Sequence, residues 1–168
     1  LLSKEKFIEV KKTISCICNS ITPILQINYY YDDEQNSLYK QDITLRIRQT
    51  GELLELQRKR HIIKSNSWVE SDETNIIITS LPKIIDNKYR LKGSLVTMRC
   101  RMKIEKSSIL FDFDENYYLG ESDYELEMEI ENESDKQVES MIANLGINNS
   151  LPINGKYTRF FRSLNKII

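Results

Sequence analysis

Two spacings of apolar residues alternate along this chain. Ser3 is a candidate helix N-cap, and Phe7, Val10, Ile14 and Ile17 recur after it at helical spacing with Lys and Glu between them. That helix is predicted to fade near residues 19–23, with a β-rich stretch opening near Leu25 and carrying the strand formers Tyr29, Tyr30 and Tyr31. From Thr44 to Gln49 the period is two: Leu45 and Ile47 share one face, Arg46 and Arg48 the other. Thr50-Gly51-Glu52 is a turn signal leading into Leu54 to Arg60, where Glu55, Gln57 and Lys59 share a face. Ser71 to Asn87 gives mixed signals, an Ile76-Ile77-Ile78 strand former after a Ser71-Asp72-Glu73 helix start, and the reading here is a short helical excursion. In Leu95 to Glu105, Met98, Cys100, Met102 and Ile104 alternate with Thr97, Arg99, Arg101, Lys103 and Glu105. Ile109 to Asp114 places Asp112 and Asp114 on one face. In Asp123 to Glu131, Leu126, Met128 and Ile130 oppose Glu125, Glu127, Glu129 and Glu131. Asp135 then caps a helix with Val138, Met141, Ile142 and Leu145 inward and Gly146 as its stop, and a short helix ends the chain from Thr158.

The fold class that follows is α+β: an antiparallel barrel or strongly curved sheet of six or more amphipathic strands with flanking helices. The 168 residues suit one domain with a real core. No apolar run is long enough to cross a bilayer, and no leader precedes the first helix, so no membrane partner is expected. Cys16, Cys18 and Cys100 are odd in number and form no C-x-x-C pair, which argues against a disulfide framework or structural zinc. Three reduced thiols, buried or half-buried, and a cytoplasmic location are expected. His61 is the sole histidine, which leaves little room for histidine-based catalysis, and it suits a turn or strand end. Trp68 and Tyr29 to Tyr31 are read as packing residues. Gly51 and Gly93-Ser94 are read as turns, and Ile76 to Ile78 as core rather than an association surface.

A net charge of -1 argues against a nucleic-acid partner, yet it hides a segregation of signs. Asp112 to Asp135 holds 11 acids and no base. With 25 acids in all, 14 remain elsewhere against all 24 bases, an excess of ten. Most charged alternation is a strand face in water. Here, however, four glutamates follow one another about 6.5–7 Å apart on one strand, and Arg99, Arg101 and Lys103 on another, so each row repels itself. Acidic rows facing basic rows across a curved sheet would relieve both, with ligands and counter-ions completing a charged lumen. A carboxylate row suits hard divalent cations such as Mg2+ or Mn2+. Arginine and lysine rows suit phosphate oxygens. A small molecule with several phosphates and a bound metal fits both.

Leu45-Arg46-Ile47-Arg48, the Lys59 strand, the Arg99 strand, Asp114 before Tyr118-Leu119-Gly120, Asp123-Tyr124-Glu125-Leu126-Glu127-Met128-Glu129 and Gly155-Lys156-Tyr157-Thr158-Arg159 occur in that order. Together they resemble the CYTH superfamily, the triphosphate tunnel metalloenzymes, and among them the small single-domain bacterial members. The superfamily includes class-four adenylyl cyclases, thiamine triphosphatases and inorganic triphosphatases. The resemblance implies one CYTH domain over residues 1–168, folded as an eight-stranded antiparallel tunnel, and metal-dependent hydrolysis of a triphosphate. By position, it implies that Arg46, Arg48, Lys59, Arg99 and Lys156 hold phosphates and that Asp114, Glu125 and Glu127 bind metal. Glu129, Arg101, Asp112 and Glu70 are weaker candidates chosen by strand face, Arg101 for phosphate. A second metal, or a carboxylate such as Glu129 or Asp114, would orient or deprotonate water. Thr97 stands where the family often has a phosphate-binding lysine. The family's opening E-x-E-x-K strand is absent before Leu1-Leu2-Ser3, so a tunnel lacking its first strand, with a bare edge near the C-terminal half, is expected. A polyphosphate- or nucleotide-binding module without catalysis, an adenylyl cyclase, and a domain whose charges merely face water are the alternatives. A homodimer is left open.

Overall fold

The computed structural model describes residues 1–18, 20–63, 69–103, 109–130, 140, 142–147 and 154–167, with the side chains of 61–63, 69–71 and 130 left aside. The elements are α1 (Lys4–Ser15), β1 (Ser20–Asp32), α2 (Ser37–Lys40), β2 (Ile43–Thr50), β3 (Leu53–Ile63), β4 (Val69–Ile78), β5 (Ile84–Ile85), β6 (Tyr89–Lys103), β7 (Ile109–Tyr118), β8 (Glu121–Ile130) and α3 (Lys156–Ile167). The expected α+β fold is present: one antiparallel sheet of eight strands with flanking helices. Seven strands run in the order β4-β3-β2-β1-β6-β7-β8, while β5 pairs with the start of β6. The order does not close; it ends at β4 and at β8. The expected bare edge near the C-terminal half corresponds to β8, whose described contact beyond β7 is one bridge from the Leu2 N–H to the Tyr124 carbonyl at 2.9 Å.

The chain divides into two compact units. Unit 1 comprises residues 1–24, 97–117 and 121–154. Ser3 caps α1 by accepting the Lys6 N–H at 3.2 Å. Phe7, Val10 and Ile14 pack on Met102, Ile109, Phe111 and Phe113 of the sheet. The Phe7 ring meets Phe113 edge-on at 5.6 Å. Ile17 lies past the end of α1 and is exposed, because the helix stops at Ser15. The following strand begins at Ser20 rather than Leu25 and contains Pro23. Pro23 falls before the pairing of β1 with β2, which starts at Gln26, so that ladder needs no N–H from it. The hairpin from β7 to β8 turns on Leu119 and Gly120, both with positive φ (50° and 79°), the backbone that a tight two-residue turn demands. The predicted start of the next helix at Asp135 lies outside the described residues. Its end is as expected, with the Gly146 N–H on the Ala143 carbonyl and the Ile147 N–H on the Ile142 carbonyl. Cys18 and Cys100 are half-buried against this core, but Cys16 is exposed, contrary to expectation, and all three are free thiols.

Unit 2 comprises residues 25–96, 118–120 and 155–168. Tyr31, Leu38, Ile43, Leu45, Ile47 and Ile85 form one core cluster. Tyr30, Leu95, Tyr118, Tyr157, Phe160 and Phe161 form another, built on the apolar face of α3. The predicted helical excursion after Ser71 is instead part of β4, which pairs with β3 from Leu54 opposite Ile78 to Ile63 opposite Val69. Backbone pairing along ten residues and a β-branched run outweigh a local helix-start signal. Ile76 and Ile77 are not core as expected; both are exposed, Ile77 at 72%. Gly93 is not a turn either. It lies within β6 at φ 152°, and a Cβ there would stand 2.8 Å from the Phe160 ring, so α3 packs where only glycine leaves room.

Candidate functional site

Strand alternation decides which side chains meet in unit 1. Cys100 and Met102 of β6, Phe111 and Phe113 of β7, and Leu126 and Met128 of β8 pack on the α1 side. The residues between them therefore share the opposite face. There the hydrogen bonds step across three strands. Thr97 donates its hydroxyl to Asn116 Oδ1 at 2.7 Å, and Asn116 Nδ2 donates to Asp123 at 2.9 Å. Two residues along, Arg99 grips Asp114 through Nε and Nη2 at 2.8 and 2.7 Å. The same Nη2 reaches Glu127 Oε2 at 2.7 Å, and Nη1 lies 2.6 Å from Asp112 Oδ2. Two residues further, Arg101 grips Asp112 through Nε and Nη2 at 2.7 and 2.6 Å and contacts Glu129 at 3.2 Å. Arg99 is only 8% exposed and Asp112, Asp114 and Glu125 are buried, whereas the Glu127 and Glu129 side chains are 39% and 56% exposed.

Burial alone would lower the pKa of the Arg99 guanidinium. The Asp114 hydrogen bonds and the charges of Asp114, Glu127 and Asp112 outweigh it and hold the group above its ordinary value. Arg101 is raised first by its hydrogen bond to Asp112. The candidate metal ligands Asp114, Glu125 and Glu127 present oxygens that all lie within 4.8 Å of one another. Converging hard oxygen donors fit a Mg2+- or Mn2+-class cation.

In unit 2 the register puts Tyr30 opposite Arg46 and Asn28 opposite Arg48, with Gln57 beyond Arg46 on β3. Arg46 Nε donates to Gln57 Oε1 at 2.7 Å, and Arg48 Nε donates to Asn28 Oδ1 at 3.2 Å. Tyr30 packs against Tyr157 and Phe160, a packing role as expected, yet its buried hydroxyl has no hydrogen-bond partner among the described residues, and neither does Asn28 Nδ2. Burial pushes the Tyr30 phenol up in pKa against the pull of Arg46, Lys156, Arg48 and Arg159. The register sets Arg46 and Arg48 beside this buried donor, and guanidiniums are the side chains that pair best with anions.

Arg99, Arg101, Asp114, Glu125, Glu127 and Glu129, with Asp112, are drawn together in unit 1. Arg46, Arg48 and Lys156 bear on Tyr30 in unit 2. Lys59 stands 3.8 Å from Glu73, with both side chains about a third exposed. The Glu70 and His61 side chains and Trp68 lie outside the described residues. Sequence reasoning assigned no site role to Asn28, Tyr30, Gln57, Asn116 and Arg159. The only available signal was the alternation Asn28, Tyr30, Asp32, which puts polar atoms on the face shared with Arg46 and Arg48.

The sequence profile of the CYTH domain matches residues 8–160. This chain belongs to the CYTH family. Solved structures agree in fold. A “putative adenylate cyclase” from Bacillus halodurans is 23% identical over 96% of this chain and 94% of its own, with a TM-score of 0.72. A “putative adenylyl cyclase” from Hippeastrum, for which a dominant triphosphatase activity is described, is 17% identical over 96% and 92%, with a TM-score of 0.76. A conserved hypothetical protein from Pyrococcus furiosus is 15% identical over 95% and 94%, with a TM-score of 0.63. No curated protein matches the chain. Among the described residues no helix is long and apolar enough to cross a membrane.

Proposed function

We propose that this CYTH protein is a cytoplasmic enzyme that hydrolyses a triphosphate-bearing small molecule with the help of Mg2+ or Mn2+. The observation that carries the reading is the convergence of Asp114, Glu125 and Glu127 beside the guanidinium of Arg99. The three carboxylates would hold the cation, which when bound offsets negative charge developing on phosphate oxygens. Arg46, Arg48, Lys59, Arg99, Arg101 and Lys156 would hold phosphate oxygens, the arginines through guanidinium N–H donors and the lysines as point charges. The buried Tyr30 hydroxyl adds a donor beside the unit 2 cations.

Of the two candidate groups for the water, Glu129 suits proton transfer better than Asp114. Its contact is one 3.2 Å hydrogen bond from Arg101 and its side chain is 56% exposed, whereas both Asp114 oxygens accept from Arg99 in a buried setting. Asp114 serves then as a metal ligand and as the anchor of Arg99.

The test is phosphate release from tripolyphosphate, thiamine triphosphate and ATP with each metal. Orthophosphate release that stops on chelation is the expected result. No turnover of any of the three with either metal would sink the enzyme reading in favour of a binding module. The cyclase reading, favoured by the names of two fold relatives, predicts pyrophosphate and a cyclic nucleotide from ATP instead.

A further inference from the structure

We infer that Arg99 is a built-in competitor for the divalent cation, and that a metal entering this site must displace its guanidinium from Glu127. The inference rests on the proposed metal role of Asp114, Glu125 and Glu127 and adds what governs their occupancy. Arg99 Nη2 is 2.7 Å from Asp114 Oδ2 and 2.7 Å from Glu127 Oε2, so one nitrogen bridges two of the three residues whose oxygens converge. Arg99 Nε takes the other Asp114 oxygen. A small divalent cation of the Mg2+ class binds carboxylate oxygens at about 2.0–2.1 Å. Set among these residues, it would stand next to a permanently charged guanidinium that already holds both Asp114 oxygens and one Glu127 oxygen, and the two like charges repel.

The two cations therefore exclude one another, and the mobile contact gives way. Asp112 and Asp114 are buried anchors, whereas Glu127 is 39% exposed and sits on the neighbouring strand. Arg99 keeps its hold on Asp112 through Nη1 at 2.6 Å and on Asp114 while the Nη2 contact to Glu127 is released. The freed N–H becomes a donor for an anion. Arg101 provides an internal control, because its described partners are Asp112 and Glu129 and include none of the three.

The experiment is calorimetric titration of the full chain with Mn2+ alone, without any phosphate, for the wild type, R99Q, R99K, R101Q and E127Q. Competition predicts that R99Q lowers the Mn2+ Kd at least tenfold, that R99K lowers it less, and that R101Q changes it under threefold. A Kd in R99Q equal to or weaker than that of the wild type, with binding still abolished by E127Q, overturns the inference and leaves the metal assignment standing. Binding that E127Q does not affect overturns both. Should R99Q fail to fold, R99K decides: a Kd no tighter than that of the wild type refutes the competition.

Discussion

Glu127→Gln separates chemistry from architecture on the charged face. The amide keeps the size of the side chain and an oxygen that can accept the Arg99 Nη2 hydrogen bond, now 2.7 Å long. It removes one negative charge from a side chain that is 39% exposed. Solvent screens a pair of that exposure, so the loss of stability should stay within about 1 kcal/mol, a melting shift of roughly 2–4 °C for a domain of this size. A carboxylate that holds the metal is worth far more in the transition state. Losing one preorganised electrostatic contact there costs about 2.7–4 kcal/mol, on the order of a hundred- to thousandfold in rate. The assay is orthophosphate release from tripolyphosphate with Mn2+ and with Mg2+, alongside a thermal melt of the same preparation. A variant that melts like the wild type and keeps phosphate release within threefold would refute the metal role of Glu127. A variant that lost both would show that Glu127 supports the fold more than its exposure allows.

Asp112→Asn should do the reverse, since Asp112 is buried and accepts from both Arg99 and Arg101; leaving those guanidiniums short of charge should destabilise the protein by about 3 kcal/mol, read from urea unfolding. Gly93→Ala sets a Cβ 2.8 Å from Phe160 at φ 152° and should cost about 2–4 kcal/mol, with part recovered in a Gly93→Ala, Phe160→Leu double variant by the same measurement. The Asp33 carboxyl is held well below its usual pKa, chiefly by hydrogen bonds from Ser37, with Lys88 adding. Its stabilisation is thus complete above about pH 4, where the unfolded carboxyl is also ionised, and drains away as the pH falls further. The melting difference between wild type and Asp33→Asn should shrink steadily below pH 4; a difference that stayed constant down to pH 2 would contradict the assignment. Chelation with EDTA should stop phosphate release and leave the tilted packing of Tyr30 on Phe160, followed by near-ultraviolet circular dichroism, unchanged.

Much of this was legible before any coordinates, because a strand's period of two converts sequence directly into faces. Once Met102, Phe111, Phe113, Leu126 and Met128 are assigned to a core, Arg99, Arg101, Asp112, Asp114, Glu125 and Glu127 have one side left to occupy. The α1 cap at Ser3 is local in the same sense, set by a few neighbouring residues. What depended on long-range partners was not legible. Ser71-Asp72-Glu73 starts a helix by local rules, and only the waiting backbone of β3 makes it a strand. Gly93 is ordinary in sequence, and its role shows only once its backbone sits at φ 152° and Phe160, from a helix far along the chain, lands on it. The oxygens of Asp114, Glu125 and Glu127 converge with Arg99 between them only after three strands align in register. The sequence alone determined which charges share a face; tertiary structure decided which touch, since contact between residues distant in the chain is set by packing and register that no local pattern encodes.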